Sequence, residues 1–573
     1  MKKIFEIYKN NKWFDYILIL IIGLVFCIPF IGFQIIYNTH DGLAHIFRIE
    51  GTISALLIGE FPPLIAPEFC MSAGMAMSLF YAPIVTYLPI FINFLTNNYE
   101  TSLKIFEAIL IIVSGFTMYK FTNSVTEKRQ IALISGILYM IVPYNLGNAY
   151  VRFAIGEIAG LAFMPIVWMG LYNLLKQDGK KHYLIAIGTI LVILSHTVTT
   201  LYLAIFCIIY VIINIKKLKD INIIKKLAIN LVFIITITMF SYLPILEAGN
   251  TAQYAILDDG YMWTNGESVK NNSLELKDLV DRSHEERTQV FIIGVPIAFL
   301  TLLSIYTFNK VNKRYKILYI IFAIFAILSL FMSTKLFPWE YMPNFLCKLQ
   351  FAWRMLGFFG FFITFICAIN LNICIEEIAK KDMQKMLLTV ITLFLCIIYS
   401  FELIGEYKIN RWDNYNIDIY KQEDMVEHMV YEYLPLNIFK SPDGYKKHLL
   451  KRGDNVEIKS GNVKLGKQQK NSLTFLLEIE YANRGTELEF PFIYYPGYEI
   501  TLKEQDKTTL LKNLESEYGY IMIHLNNNVE NASIEVKYKG TKLSKIAYII
   551  SLISALIFVI YVIKLKKANR GEV

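Results

Sequence analysis

Charged residues are scarce in this sequence. Only 18% of its 573 residues are charged, whereas 55% are hydrophobic and 14% are aromatic. Soluble globular proteins carry about 25% charged residues and have less apolar surface to cover. The shortage of charge therefore excludes a soluble protein and predicts a polytopic membrane protein, in which lipid covers the apolar excess.

Features that would identify several other protein classes are also missing. Five of the seven cysteines lie inside apolar runs, where they are expected to act as small buried hydrophobes: Cys27, Cys207, Cys367, Cys374 and Cys396. Cys70 and Cys347 fall in predicted outer segments, where a disulfide is chemically allowed. The net charge of +8 comes from short basic clusters between apolar runs, so no nucleic-acid partner is expected. The stretch SHEER at 283–287 lacks the second histidine of a zinc-protease helix, which excludes that class.

Apolar runs bounded by basic clusters predict the topology. A span needs about 20 apolar residues, and positive charge marks its cytoplasmic end. Basic residues precede the first run and follow the last one, so both termini are expected in the cytoplasm: Lys2, Lys3, Lys9 and Lys12, then Lys564, Lys566, Lys567 and Arg570. An even number of about twelve spans is predicted, near 14–36, 102–122, 129–147, 155–175, 182–195, 198–214, 226–246, 289–308, 315–334, 355–375, 385–404 and 546–563.

The even count requires that one further apolar stretch, FYAPIVTYLPIFINFL at 80–95, does not cross the membrane. Pro83 and Pro89 interrupt the helical hydrogen bonds there, which favours an interfacial or re-entrant segment. Residues 37–101 then form one long outer loop of a membrane domain over 1–404.

The pattern of the sequence changes after the membrane domain. Segments such as SLTFLLEIEY (472–481) and ELEFPFIYYPGYEITL (487–502) alternate apolar and polar residues between turn signals. This period of two predicts an antiparallel, sandwich-like β domain over 405–543. Because that domain lies between two spans, we expect it outside the cell, followed by a last helix and cytoplasmic tail at 544–573.

The first outer loop opens with THDGLAHIFRIEG at 39–51. If a helix starts near Asp41, then Asp41, His45 and Arg48 lie on one face, together with Thr52. Such a face can bind an anionic phosphate through Arg48 and deprotonate a hydroxyl through Asp41, with His45 tuning or sharing the proton. The alternative is structural: Asp41 caps the helix and Arg48 extends to the lipid headgroups.

Other predicted outer segments repeat this chemistry. Arg152 and Glu157 flank the start of a span, where a local ion pair is the structural alternative. His196 lies in a tight hairpin, where it could equally be a hydrogen-bonded turn residue. The stretch KLQFAWR gathers cation, amide and aromatic side chains at the outer interface, as an anchoring belt also would: Lys348, Gln350, Trp353 and Arg354.

The order of these motifs resembles a bacterial membrane-protein family. The motifs are THDGLAHIFRIEG, LFYAPIVTYLP, PYNLGNAYVRFAIGEIAGLAFMP, ILSHTVTTLY, FSYLPILE, FPWEYMPNFLCKLQFAWRMLGF and EYLP (432–435). They are similar to the 6-pyruvoyl-tetrahydropterin-synthase-related and YfhO-type membrane proteins, which in turn resemble the GT-C superfamily of multi-span glycosyltransferases. The resemblance implies an acidic residue just after the first span, here Asp41, then interfacial helices, and a second acidic residue at Glu157.

What the resemblance implies for function is sugar transfer from a polyprenyl phosphate or diphosphate donor to a cell-envelope glycan or lipid at the outer face of the bacterial plasma membrane. The catalytic residues expected are Asp41 as base, His45 and Glu157; the binding residues are His40, Arg48, Arg152, His196, Lys348, Gln350 and Arg354. One carboxylate beside the His40 imidazole makes a poor Mg²⁺ or Mn²⁺ site, so no metal or other cofactor is assigned. A transporter or flippase of a lipid-linked precursor and a non-catalytic envelope scaffold remain alternatives.

Overall fold

Apolar helices dominate the described part of the chain. The computed structural model describes residues 10–11, 13–31, 39–281, 291–409, 421–505 and 507–570. Its longer helices are α1 (Trp13–Cys27), α2 (Gly42–Leu57), α3 (Ile84–Thr96), α4 (Tyr99–Thr126), α5 (Arg129–Met140), α6 (Ile155–Lys176), α7 (Leu184–Ile193), α8 (Thr197–Ile213), α9 (Ile221–Thr251), α10 (Val295–Leu302), α11 (Lys313–Met332), α12 (Met355–Ile378), α13 (Asp382–Ile409) and α14 (Lys542–Arg570). Shorter helices connect them at Phe69–Ser72, Pro143–Gly147, Gly266–Asn271, Ser304–Thr307, Asn344–Cys347, Gln422–His428 and Tyr445–Lys451.

The described residues contain nine regions long and apolar enough to cross a membrane: Trp13–Phe30, Tyr99–Thr126, Arg129–Arg152, Ile155–Lys176, Ile221–Thr251, Lys313–Met332, Ala352–Ile378, Asp382–Tyr407 and Lys542–Arg570. Three other predicted spans coincide with shorter apolar helices, α7, α8 and Val295–Lys310. The polytopic helical architecture is confirmed, and the count of twelve stays a prediction. The predicted end of the first span at 32–36, the four amino-terminal lysines and the stretch SHEER lie outside the described residues.

Helices α2 and α3 form most of the connection between the first two of these regions. Helix α2 begins at Gly42, directly after Asp41, and buries most of its length. A Cβ atom at Gly51 would lie 2.6 Å from the Cβ of Ala66, so glycine lets the following loop pack closely on the helix. Helix α3 has 13 residues and contains Pro89. At 1.5 Å per residue it is shorter than the hydrocarbon core of a bilayer, which agrees with the predicted interfacial position.

Two antiparallel sheets precede the last helix. Their strands are β1 (Glu457–Ser460), β2 (Val463–Asn471), β3 (Thr474–Ala482), β4 (Glu487–Ile493), β5 (Tyr498–Glu504), β6 (Lys507–Leu511), β7 (Leu514–Glu515), β8 (Tyr520–His524) and β9 (Val529–Tyr538). The sheet orders are β1-β4-β8-β7 and β2-β3-β9-β5-β6. Phe475 of one sheet lies 5.6 Å, ring to ring, from Phe490 of the other, in the core between them. The predicted carboxy-terminal β domain before the final helix is therefore confirmed, and short helices occupy its first described part.

The β domain lies directly on loops of the membrane domain. The Ile493 amide donates a hydrogen bond of 3.0 Å to the Ala73 carbonyl in the loop between α2 and α3. The Tyr254 hydroxyl, in the loop after α9, donates to the Tyr494 carbonyl at 3.2 Å. These contacts join the β domain to segments that are distant from it in the sequence. Cys70 and Cys347 are both free, so the disulfide that the sequence allowed is not formed.

The placement of the β domain outside the cell and of the carboxy terminus inside can be tested by cysteine labelling. In a background without the seven native cysteines, we expect Lys464→Cys to react with a membrane-impermeant maleimide in intact cells, because its side chain is 74% exposed on β2. We expect Lys567→Cys, beyond the last span, to react only after permeabilisation. The reverse pattern would refute this orientation.

Candidate functional site

Asp41 lies at the amino-terminal end of α2 with an accessible carboxylate. It occupies the capping position, yet its side chain makes no capping hydrogen bond. Its Oδ2 lies 3.6 Å from Nη2 of Arg152, and the side chain is 42% exposed. The Asp41 amide donates to the Arg152 carbonyl at 2.8 Å, which fixes the two residues side by side. The structural alternative predicted that the Asp41 side chain caps the helix, and it does not do so.

Arg48 is buried on the same helix and is held mainly by aromatic residues. Its Nε and Nη2 donate to the Tyr433 hydroxyl at 3.2 and 2.9 Å. The guanidinium carbon lies 3.7 Å from the centre of the Tyr81 ring, a cation–π contact. Among the described residues, Arg48 has no carboxylate within salt-bridge distance. Its charge is thus compensated by a hydroxyl and an aromatic face, which leaves it suited to bind an anion.

His45 supports Arg48 from one turn earlier in α2. Its Nδ1 lies 3.1 Å from Nη1 of Arg48 and accepts a hydrogen bond from it, since a guanidinium can only donate. Burial lowers the pKa of His45 well below its usual range, and the Arg48 cation lowers it further. A neutral, buried imidazole whose Nδ1 is occupied orients Arg48; the structure places it beside Arg48 rather than beside the Asp41 carboxylate.

Glu157 connects two further buried arginines. Its Oε1 accepts a hydrogen bond from the Tyr144 hydroxyl, and its Oε2 accepts one of 2.7 Å from Nη1 of Arg152. The Arg354 Nε lies 3.6 Å from the same Oε2. The structure thus brings together Arg152, Glu157 and Arg354 and adds Tyr144, and it forms the local ion pair that was the structural alternative for Arg152 and Glu157. Because both carboxylate oxygens are engaged, Glu157 is a poor candidate for a base and a good one for holding the arginines in place.

Unusual backbone conformations lie next to Arg152 and Arg354 in the sequence. Arg152 ends a π-helical turn, Asn148–Arg152, and Phe153 after it has φ of 54°. Gln350, four residues before Arg354, has φ of 66°. π-Helical turns and left-handed non-glycine residues are concentrated at functional sites, where the surrounding structure compensates their cost. At this site, the guanidinium groups of Arg152 and Arg354 both lie near the Glu157 carboxylate.

The remaining predicted residues lie at or beyond the edge of this cluster. His196 caps α8, its Nδ1 accepting from the Thr199 amide at 3.3 Å, so the turn interpretation is correct. Burial lowers the pKa of His196 to about 3, while the nearby Glu157 carboxylate acts in the opposite direction. His40 is exposed beside Asp41. Lys348 pairs with Asp259 in the loop after α9, and no contact between Lys348 and the arginines is seen in the described part of the chain.

Sequence reasoning singled out the EYLP and LFYAP motifs but assigned no role to their tyrosines, Tyr433 and Tyr81. Both touch Arg48. Glu432 lies within electrostatic reach of Arg48 and Asp41, and burial raises its pKa. No local pattern marks these residues as neighbours, because 385 positions separate Arg48 from Tyr433.

The site combines anion-binding and proton-accepting groups. Three buried or nearly buried guanidinium groups lie within one region, and one partly exposed carboxylate borders it. In the described ranges no group of three or more histidine, cysteine, aspartate or glutamate side chains could hold a metal ion. The guanidinium groups can neutralise a phosphate, and the Asp41 carboxylate can accept a proton.

We expect Glu157→Gln to destabilise the protein strongly. The neutral amide would leave Arg152 and Arg354 poorly compensated in a buried site, and breaking such a pair costs about 3–5 kcal/mol. The control is Glu340→Gln, which breaks an exposed pair with Lys270 and should change little. Thermal unfolding of both purified variants in detergent measures the difference; equal melting temperatures would contradict the assignment.

Comparisons with known proteins found similarity both in sequence and in structure. A protein of Lactococcus lactis subsp. cremoris (strain MG1363), described as uncharacterized, is 24% identical over 351 residues, which cover 58% of this chain and 56% of that protein. The match thus spans little more than half of the length of that relative. The crystal structure of the Archaeoglobus fulgidus oligosaccharyltransferase in the apo form aligns with a TM-score of 0.40 and 12% identity, covering 77% of this chain and 60% of that one.

The family comparison is more specific. The model of the 6-pyruvoyl-tetrahydropterin synthase related domain, a membrane protein family, matches residues 79–404, more than half of the chain. The match includes Tyr81, Arg152, Glu157 and Arg354, and it ends before Tyr433. This is the family that the order of the sequence motifs predicted. The chain belongs to the 6-pyruvoyl-tetrahydropterin-synthase-related membrane proteins.

Proposed function

We propose that this protein transfers a sugar from a polyprenyl-phosphate-type lipid to a glycan or lipid acceptor of the cell envelope. The observation that carries the proposal is the position of the Asp41 carboxylate, partly exposed and 3.6 Å from a buried arginine, at the start of the first helix after the first span. The acceptor hydroxyl would lose its proton to Asp41 while its oxygen forms the new bond to the anomeric carbon. The phosphate would leave with the electron pair of the broken carbon–oxygen bond.

A phosphate leaving group requires neutralisation more than protonation, and the arginines supply it. Arg48 has no carboxylate partner among the described residues and is the strongest candidate for direct phosphate binding. Arg152 lies between Asp41 and Glu157, so it would place the proposed base next to the arginines that bind the phosphate. Preorganised cations in a largely water-excluded site stabilise developing charge at little reorganisation cost. We assign Glu157 and His45 to positioning these arginines, and Asp41 to the chemistry.

The resemblance to GT-C glycosyltransferases supports the same assignment. It implies an acidic residue after the first span and interfacial helices before the second, and α2 and α3 occupy that part of this chain. The donor's lipid tail would lie between spans on the outer side. The β domain and the loop after α9 would then shape the acceptor site, with both termini in the cytoplasm of a bacterial cell.

Asp41→Asn should abolish transfer. The amide keeps the shape of the side chain but cannot accept the proton, and loss of a general base typically costs about 10²–10⁴-fold in rate. Glycan analysis of the envelope in a deletion strain, complemented with wild type or variant at equal expression, measures the effect. The matched control is Asp443→Asn, an exposed outer aspartate paired with Lys451, which should restore the glycan fully.

Two results would contradict the assignment. If Asp41→Asn restores the lost glycan as well as wild type does, Asp41 is not the base. If the deletion changes no glycan, the scaffold function becomes the better explanation.

One observation favours a second candidate, transport of a lipid-linked precursor. Glu107, within the spanning helix α4, is completely buried, and neither of its oxygens has a hydrogen-bond partner in the described residues. Ionisable residues inside spans are costly and are usually retained for a function such as proton-coupled transport.

Glu107→Gln distinguishes the two candidates. If the protein is a transferase acting through Asp41, the envelope glycan should stay at the wild-type level, because glutamine is close in size and the reaction does not use Glu107. Loss of the glycan in a variant with unchanged melting temperature and expression would favour the transporter. Asp41→Asn, measured in the same strain series, supplies the reference for full loss.

A further inference from the structure

Tyr433 lies at the point where four outer segments meet. It belongs to a short helical turn, Tyr431–Tyr433, between the membrane domain and the first β-strand. Its ring stacks on Phe80 from the first outer loop, with centroids 5.8 Å apart. Phe80 in turn contacts the ring of Tyr254, from the loop after α9, at 5.1 Å. The Tyr433 side chain is thus enclosed by parts of the chain that only the folded protein brings together.

Tyr495 of the β domain contacts both Tyr433 and Tyr254. The Tyr495 hydroxyl, in the turn between β4 and β5, donates a hydrogen bond of 2.8 Å to the Tyr433 carbonyl. Its ring stacks almost parallel on that of Tyr254, at 5.6 Å and 5°. Two backbone hydrogen bonds join the adjoining loop segments: the Ala255 amide donates to the Leu434 carbonyl at 3.0 Å, and the Leu436 amide donates to the Gln253 carbonyl at 2.8 Å. The position of Tyr433 therefore depends on docking of the β domain.

Tyr433 determines which donors of Arg48 remain for a ligand. A guanidinium has five N–H donors. Two of them, on Nε and Nη2, go to the Tyr433 hydroxyl, and one on Nη1 goes to His45. Within the described residues this leaves one N–H on each terminal nitrogen, and Tyr81 covers a face of the group. Two such donors match the two oxygens of a phosphate.

We propose that the β domain supplies, through Tyr433, a positioning residue for the phosphate site: Tyr433 holds the Arg48 guanidinium with its two remaining N–H donors directed to the phosphate of the lipid donor. The inference rests on the proposed function and adds to it that the β domain is required for phosphate binding as well as for shaping the acceptor site. The Tyr433 hydroxyl accepts both hydrogen bonds from Arg48, so its own proton stays available to donate to the same anion.

The test compares two tyrosines of the same turn. Tyr433→Phe removes the hydroxyl that holds Arg48, whereas Tyr431→Phe removes a buried hydroxyl that has no hydrogen-bond partner among the described residues. With the full-length protein in detergent, we expect Tyr433→Phe to weaken binding of a polyprenyl phosphate about tenfold, or about 1.4 kcal/mol. Tyr431→Phe should bind like wild type. Polyprenol, which lacks the phosphate, should bind all three proteins equally, which a merely structural defect would not allow.

Further measurements test whether Tyr433 affects phosphate binding through Arg48 and through the β domain. Tyr495→Phe keeps the Tyr433 hydroxyl but breaks the bond to the β domain, so it should weaken phosphate binding in the same direction and by less. In an Arg48→Gln background, Tyr433→Phe should have no additional effect, because a positioning residue acts through the group it positions. Inorganic phosphate as competitor distinguishes a site for free phosphate from one that needs the lipid: it should displace the lipid only weakly.

The outcomes separate this inference from the proposed function. If wild type prefers polyprenyl phosphate to polyprenol and Tyr433→Phe binds it unchanged, the positioning role is wrong and the proposed function stands. If the two tyrosine variants weaken binding equally, or if the effects of Tyr433→Phe and Arg48→Gln simply add, the role is also wrong. If wild type shows no preference for the phosphate, both the inference and the proposed function fall.

Discussion

Burial of positive charge is the constraint on which the candidate site depends. Arg152 and Arg354 share the carboxylate of Glu157, and each of its oxygens accepts a hydrogen bond. Arg48 is compensated differently, by the hydroxyl of Tyr433 and the ring of Tyr81. A buried cation stays favourable only when hydrogen bonds and opposite charge replace its water. Two arginines of the site thus share one carboxylate, whereas no carboxylate lies within salt-bridge distance of Arg48 among the described residues.

The same constraint explains why these segments converge. The cation–π and hydroxyl contacts of Arg48 come from the loop between α2 and α3 and from the turn Tyr431–Tyr433 in the first part of the β domain. Tyr495, between two strands of the same domain, donates a hydrogen bond to that turn. A membrane domain alone would leave Arg48 without its main hydrogen-bond acceptor. Under the proposed function, the anion site therefore depends on docking of the β domain.

Most of the architecture could be predicted from local sequence, whereas the roles within the site could not. Runs of apolar residues and the period of two in the β segments are properties of single elements, so the helices and sheets were found close to their predicted places. The stripe of Asp41, His45 and Arg48 was also local, and α2 presents it. His45 was predicted to tune or share the proton of Asp41, and its ring is found in contact with Arg48. Lys348 was predicted in the site, but it pairs with Asp259.

By itself the sequence determined a polytopic helical membrane protein with a β domain before its last helix, because hydrophobic periodicity and length decide such elements one at a time. It also determined the residue types that an anion site needs and their grouping in outer segments. The tertiary structure decided which of those residues act together. The bond from Arg48 to Tyr433 spans 385 positions and the one from Tyr495 to Tyr433 joins two outer segments. Contacts of this kind depend on how the elements pack, and no single element's pattern contains them.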